Sequence, residues 1–197
     1  MHIIDTIAKL FSKPRDFFKG IRKEKTIKDA FFINLIFGLF YCVILMIFLF
    51  LMVSFFRMFT PAGKNTFPMY ILFILVAVWF VLVIIFNFIW AGILHVWILI
   101  FGGKKGYKQT YQLSIYSSIP TYLLGWFPLI GLFASVYSVY LLIIGTQEVH
   151  GISKMKSILM YVIPIAVFAL LIIIFYIFIM VMIFSQMPYL NATNATG

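Results

Sequence analysis

Residues 68–101 read PMYILFILVAVWFVLVIIFNFIWAGILHVWILIF, and no charged side chain lies between Lys64 and Lys104. A helix needs about 20 mostly apolar residues to cross a hydrocarbon core of about 30 Å. This stretch is longer than that, so the sequence predicts a transmembrane helix that tilts, bends or protrudes. The stretch therefore indicates a membrane protein.

Three further uncharged blocks occupy most of the remaining chain. They lie between Asp29 and Arg57, between Lys108 and Glu148, and after Lys156. The chain is 64% hydrophobic and 10% charged, whereas soluble domains are about 45–50% apolar and about 25% charged. The sequence predicts an all-α polytopic bundle of five spans over residues 30–184. Residues 30–56, 68–101 and 158–184 form long spans, and the third block forms a pair.

The pair is divided at residues 125–131, which read GWFPLIG. Each half is barely long enough to cross, and the turn contains no charge. Two arrangements remain open: a transmembrane hairpin, or a hairpin that dips into the membrane and returns. Both involve an even number of crossings, so the sides predicted for the other segments do not change.

The distribution of basic residues predicts the orientation. Of the 15 Lys and Arg residues, only Arg57 and Lys64 lie in segments predicted on the far side. Basic loops face the cytoplasm, so the N-terminus is expected there and residues 185–197 form a short external tail. Asn191 and Asn194 begin Asn-x-Thr sequons, which are either glycosylation sites or chance matches in an Asn/Thr-rich tail.

Residues 1–29 form a cytoplasmic, basic, amphipathic segment that Pro14 interrupts. We favour an interfacial helix with its apolar side in the lipid headgroups; the alternative is a helix packed on the rest of the chain. The net charge of +10 flanks apolar blocks, which indicates anionic lipid headgroups as partners and disfavours nucleic acid.

A glycine- and lysine-rich turn follows the second span and is a candidate lipid-headgroup site. Its spacing does not match a nucleotide-binding phosphate loop, whereas its lysines suit lipid phosphates. The turn comprises Gly102, Gly103, Lys104, Lys105, Gly106, Tyr107 and Lys108.

Small and hydroxyl-bearing residues recur at helical spacing in the paired third and fourth spans. Such residues let helices approach closely in lipid, so a tight hairpin is expected; the alternative is a polar groove for a lipid or solute. Pro120 predicts a kink. The helix-packing residues are Ser114, Ser117, Ser118, Pro120, Thr121, Gly131, Ser135 and Ser138.

No catalytic or metal-binding constellation is found in the sequence. The predicted spans contain no Asp or Glu, and the lone Cys42 excludes an intrachain disulfide. His95 is interpreted as a hydrogen-bonded or interfacial histidine rather than a proton or ligand contact. Glu148 and His150 are two residues apart, without metal-site spacing. We therefore expect a non-enzymatic protein without a cofactor.

Five segments spread along the chain are informative together. They are Lys13-Pro-Arg-Asp-Phe-Phe18, Phe101-Gly-Gly-Lys-Lys-Gly-Tyr107, Tyr116-Ser-Ser-Ile-Pro120, Pro128-Leu-Ile-Gly131 and Glu148-Val-His-Gly-Ile-Ser-Lys154. In their order and spacing they resemble the Yip-one domain family across essentially the whole chain. Glu148, His150 and Gly151 belong to the last motif, in a hydrated loop that the sequence predicts at residues 145–156.

The resemblance implies a five-pass membrane protein without enzymatic activity. Eukaryotic members act in vesicle traffic and membrane shaping with Rab GTPases. The short N-terminal segment and the lack of an Asp-Leu-Tyr-Gly-Pro element make this chain similar to bacterial or archaeal members, which implies the cell membrane. We expect membrane organisation or a scaffold for partner proteins, with homo-oligomers open. The alternative is a small lipid or solute transporter, or a scramblase.

Overall fold

The computed structural model describes residues 3–22, 26–59 and 68–195, the last ten of these by their backbone alone. The described part is helical and contains no strand. Its helices are α1 (Ile3–Ser12), α2 (Pro14–Ile21), α3 (Lys28–Arg57), α4 (Met69–Ile100), α5 (Tyr107–Leu124), α6 (Pro128–His150) and α7 (Lys154–Ala195). Turn and breaker residues at 60–65 predict a loop after the first span, but these residues lie outside the described part of the chain. The all-helical prediction is confirmed.

Four of these helices are long and apolar enough to cross a membrane. They are residues 28–56 of α3, 70–100 of α4, 129–150 of α6 and 154–185 of α7. α5 is shorter and more polar, and it is not among them. The chain is thus a multi-pass membrane protein with exposed apolar helix faces, which require lipid around them.

Local sequence signals explain where several helices begin and end. Pro14 and Pro128 occupy the first helical positions of α2 and α6, where a missing N–H costs nothing. α4 ends in a Schellman motif: Gly102, with a φ of 91°, donates its N–H to Leu99 O at 2.9 Å. Gly103 completes the motif with a 2.9 Å bond to Ile98 O.

The structure corrects the predicted end of α6. Residues 145–156 were interpreted as one hydrated segment, but α6 continues to His150 and ends at Gly151, whose φ is 69°. Gly145 does not break the helix because it is the place where other helices approach. A Cβ there would lie 3.0 Å from the Phe18 ring and would overlap Leu113.

α5 is the central helix of the compact unit formed by residues 1–157. It contacts α2, α3, α4 and α6, and ten consecutive or nearly consecutive residues between Thr110 and Pro120 are buried. The most polar of the predicted spans is therefore surrounded by protein, while the exposed faces of α3 and α4 carry the apolar side chains.

The N-terminal segment packs on the same unit. α2 contacts α5 and α6, and Leu10, Phe18 and Ile21 are at most 1% exposed. The interpretation that the apolar side faces lipid headgroups is wrong for these three residues, because they are buried within the protein. The Phe18 ring, for example, lies against Gly145 of α6. Ile4, in contrast, is 80% exposed.

The second unit, residues 158–197, consists of the larger part of α7. From Val162 to Ser185 almost every side chain is exposed, and no residue is charged. A helix that is apolar on all sides is typical of a membrane span. α7 also continues past the predicted boundary at residue 184, and Asn191 and Asn194 lie in its last turns.

Candidate functional site

The polar side chains inside the first unit form two hydrogen-bonded groups along α5. The first, here called the histidine cluster, consists of His95, Thr110 and His150. The second, here called the asparagine network, consists of Asn34, Asn87, Tyr111 and Tyr122. Each group joins three different helices, so both depend on the tertiary fold.

In the histidine cluster, one threonine hydroxyl bridges two imidazole rings. Thr110 Oγ1 lies 2.9 Å from His95 Nδ1 and 3.2 Å from His150 Nε2. A hydroxyl has only one proton to donate, so it donates to one ring and accepts from the other. Thr110 is fully buried and His150 is 2% exposed, so this bridge holds α4, α5 and α6 together.

The other ring nitrogen of His150 faces the Schellman turn. His150 Nδ1 is buried and has no hydrogen-bond partner among the described residues. It lies 3.3 Å from where a Cβ of residue 103 would stand, so glycine is the residue that fits there. The two motif segments that carry the family resemblance, around Gly103 and around His150, thus meet in space.

In the asparagine network, two amide side chains connect α3 and α4 and both bind tyrosines of α5. Asn87 Nδ2 donates to Asn34 Oδ1 at 2.8 Å and lies 2.7 Å from the Tyr122 hydroxyl. Asn34 Nδ2 donates to the Tyr111 hydroxyl at 3.1 Å. Asn34 and Tyr111 are fully buried, so these bonds satisfy groups that are costly to leave unpaired.

The glycine- and lysine-rich turn lies next to the histidine cluster. Lys104 is exposed, Lys105 and Lys108 are half-buried, and Tyr107 donates its hydroxyl to Phe88 O at 2.8 Å. Gly106 precedes the first residue of α5. The turn therefore anchors α5 to α4 through Tyr107, and binding of lipid phosphates by its lysines stays a prediction.

The predicted helix-packing residues divide into interior and exposed positions. Ser114, Ser117 and Pro120 are buried in α5, and Thr121 Oγ1 lies 2.8 Å from Ser138 Oγ of α6. Ser118 is half-buried, and its hydroxyl donates to Ser114 O within α5.

Gly131 approaches the preceding turn closely, because a Cβ there would lie 2.7 Å from Gly125 O. Ser135 is exposed on the first unit, and its hydroxyl donates to Gly131 O in its own helix. Its part in helix packing stays a prediction.

The predicted loop residues Glu148 and His150 belong to the last turn of α6, and Gly151 caps that helix. His95 is half-buried and bonded to Thr110, as in the hydrogen-bonded interpretation. Among the described residues, no three His, Cys, Asp or Glu side chains converge on a common point. The sequence did not predict Asn34, Asn87, Tyr111 or Tyr122; isolated asparagines within apolar blocks are the signal that indicates them.

An all-helical chain with several membrane-length helices and an internal polar core defines an integral, multi-pass membrane protein. A model of the Yip1 domain matches residues 8–178. The chain belongs to the Yip1 domain family, which confirms the resemblance found in the sequence. No curated protein and no solved structure matches it.

Proposed function

We propose that this chain is a non-enzymatic member of the Yip1 domain family that organises the membrane or partner proteins. The main support is that the side chains of the histidine cluster and of the asparagine network bond to each other. Thr110 holds both histidines, and Asn34 and Asn87 hold both tyrosines. Catalysis requires polar groups that converge on a substrate, whereas groups paired in this way serve to hold helices together.

The surface of the described helices also suits lipid or protein rather than a small polar substrate. A groove of ≈ 410 Å³ lies on α4 and is lined by Trp79, Leu82, Val83, Ile85, Phe86 and Ile89. Such an apolar groove is filled by acyl chains in a bilayer. The lysines of the turn at residues 102–108 suit anionic headgroups at the membrane surface.

The proposed orientation has the N-terminus in the cytoplasm and the C-terminus outside, with five helices that enter the membrane. Its support is the placement of the basic residues. A cysteine map tests it, with Cys42 replaced by alanine and an impermeant thiol reagent applied to intact cells. Lys104→Cys is expected to react only after the membrane is opened and Gly197→Cys before. A tail that reacts only from the cytoplasmic side would overturn the orientation.

Photo-crosslinking in native membranes tests the organising role. A photoreactive residue at Lys104, in the exposed turn, is expected to give discrete adducts with a protein or with anionic lipid. The matched position is Phe133, which is 74% exposed on the apolar face of α6 and is expected to give neutral lipid adducts. The same adduct pattern at both positions would contradict a specific organising surface.

A lipid or solute transporter, or a scramblase, is the second candidate. The two polar groups that follow α5 through the interior support it, because polar side chains inside a membrane protein often mark a path. Reconstituted vesicles separate the two functions. The organising role predicts the same movement of fluorescent lipid and of ions as in empty liposomes. Flux that is lost in a Thr110→Val variant and kept in a Ser135→Ala variant would favour transport.

A further inference from the structure

The turn between α5 and α6 lies beside the middle of α3. Trp126 of this turn shares a small pocket of ≈ 180 Å³ with Tyr41, Ile44, Leu45 and Phe48 of α3. After Phe48, α3 continues to Arg57, which at about 1.5 Å per residue is a further 14 Å or so. The hairpin of α5 and α6 is therefore clearly shorter than the hairpin of α3 and α4.

The part of α3 beyond the turn requires lipid around it. Leu51, Phe55 and Phe56 are each more than half exposed, and no residue between Phe48 and Arg57 is charged. The hydrocarbon core thus extends at least to the level of Phe56. Counting about 30 Å back along an untilted helix, or about 20 residues, leads to Ile36. The level of Trp126 is then close to the middle of the bilayer.

Asn34 and the histidine cluster lie where this placement puts the near edge of the hydrocarbon. Asn34 precedes Ile36 by two residues and bonds to Tyr111 and Asn87. The histidine cluster begins with Thr110, the residue before Tyr111, so it lies at least as close to the lysine-rich turn. Polar groups are least costly near the edge of the core, and their position supports the same depth for the hairpin.

The N-terminal helices give an independent reading of depth. Phe11 of α1 stacks on Tyr137 of α6, with ring centroids 5.4 Å apart. Tyr137 follows Leu129, at the tip of the hairpin, by eight residues of α6, which is about 12 Å along the helix. Lys9 and Lys13, on either side of Phe11, are exposed, and a lysine stem reaches the headgroups only from within one leaflet. The contact with α1 therefore lies in the leaflet next to the lysine-rich turn.

We propose that the α5–α6 hairpin enters the bilayer from the side of the lysine-rich turn, turns near the middle and returns. α5 and α6 must reach the same depth, because only residues 125–127 join them and they pack along their length. Of the described helices of the first unit, α1, α2, α5 and α6 then lie in or on one leaflet, and α3 and α4 alone continue through the other.

This arrangement makes the first unit wider in one leaflet, which suits a membrane where that leaflet is convex. The chain then prefers curved membranes without any catalytic step. The inference deepens the proposed organising role. It rests on the orientation proposed there, which identifies the wide leaflet as the cytoplasmic one. The depth of the hairpin itself does not depend on that orientation.

Cysteine labelling in the full-length chain tests the depth, again with Cys42→Ala. Leu129, at the tip of the hairpin, and Phe59, just after α3, are 78% and 72% exposed, so neither position is hidden by protein. An impermeant maleimide is expected to label Phe59→Cys from one side, Lys104→Cys from the other and Leu129→Cys from neither. A nitroxide at residue 129 is expected to report a depth near the bilayer centre.

Labelling of Leu129→Cys from the same side as Phe59→Cys would show that the hairpin crosses, and labelling from the side of Lys104→Cys would show that it does not enter. Either result overturns the inference. An exchange of sides between Phe59 and Lys104 would instead overturn the proposed orientation and leave the hairpin's depth unchanged, so the two failures are distinguishable.

Reconstitution into vesicles of different size tests the curvature preference. Protease access to an N-terminal tag measures the fraction of chains with the wide side on the outer, convex leaflet. This fraction is expected to shift upward in small sonicated vesicles relative to large extruded ones, and a C-terminal tag is expected to shift oppositely. Equal fractions in both vesicle sizes would overturn the curvature preference.

Discussion

Asn34 connects more interior groups than any other side chain of the asparagine network. An Asn34→Leu variant removes the hydrogen bond that the Tyr111 hydroxyl accepts from Asn34 and the one that Asn87 donates to it. An unpaired buried polar group costs about 1–3 kcal/mol, so the thermal unfolding midpoint in detergent is expected to fall. Ser135→Ala is the matched control, since Ser135 is exposed and bonds within its own helix; its effect is expected within about 0.5 kcal/mol. Equal stability of the two variants would contradict a structural role of Asn34.

Thr110 offers a test in which the shape of the side chain is nearly constant. Thr110→Val replaces the hydroxyl by a methyl group and leaves His95 Nδ1 and His150 Nε2 without their bridge. A loss of about 1–3 kcal/mol of unfolding free energy is expected. Thr110→Ser keeps the hydroxyl and is expected to retain most of the stability in the same denaturation experiment. If the serine variant loses as much as the valine variant, the packing of the threonine methyl group contributes as much to stability as the hydrogen bonds.

At this scale the sequence predicts single residues better than their partners. A hydrogen-bonded His95 follows from a lone polar ring in an apolar span. Its contact with His150 does not follow, because the two residues belong to different blocks and meet only when α4, α5 and α6 pack. Helical spacing also places Ser135 among the packing residues, but it does not predict that this side chain is exposed on the first unit.

Among the helices, the contact of α2 with α6 depends on Gly145. A Cβ in Gly145→Ala would overlap Leu113 and lie 3.0 Å from the Phe18 ring, and such overpacking costs about 1–3 kcal/mol. Limited trypsin digestion is expected to cleave after Lys19 faster in this variant. Gly20→Ala, in α2 with nothing within 4 Å of the added Cβ, is expected to leave cleavage unchanged or slower, because alanine favours helix. Faster cleavage in both variants would indicate that α2 is loosely attached in the native protein.

The ends of the helices follow from local sequence only where local chemistry decides them. Gly102 and Gly103 indicate the end of α4, and their positive-φ turn and close packing explain why. Gly145 looks like an equally good stop signal, but Phe18 and Leu113 occupy the space that its missing side chain leaves, and α6 continues to Gly151. The contact of Phe18 with Gly145 also explains why part of the N-terminal segment packs on protein. Amphipathic spacing alone is compatible with packing on protein and with burial in lipid headgroups.

For the whole molecule, the charge-free blocks predict membrane helices, but they do not predict which of them cross the membrane or how deep each one reaches. The turn at residues 125–127 is uncharged, which suits both the centre and the far edge of a bilayer. Its depth depends on which residues of α3 lie beside Trp126, and only packing determines that. Packing also explains how a helix as polar as α5 fits in a membrane protein. Its hydroxyl groups are tolerated because α2, α3, α4 and α6 surround them.

A lysine scan of two exposed positions distinguishes a hairpin that turns midway from one that crosses. Leu129 is at the tip of the hairpin and Phe59 follows the end of α3, and both side chains point away from the protein. A lysine at the bilayer centre costs about 2.5–3.5 kcal/mol, whereas one near the surface costs little. Leu129→Lys is therefore expected to reduce the fraction of chains integrated into membranes far more than Phe59→Lys, as measured by carbonate extraction. Similar integration of the two variants would contradict a tip at the bilayer centre.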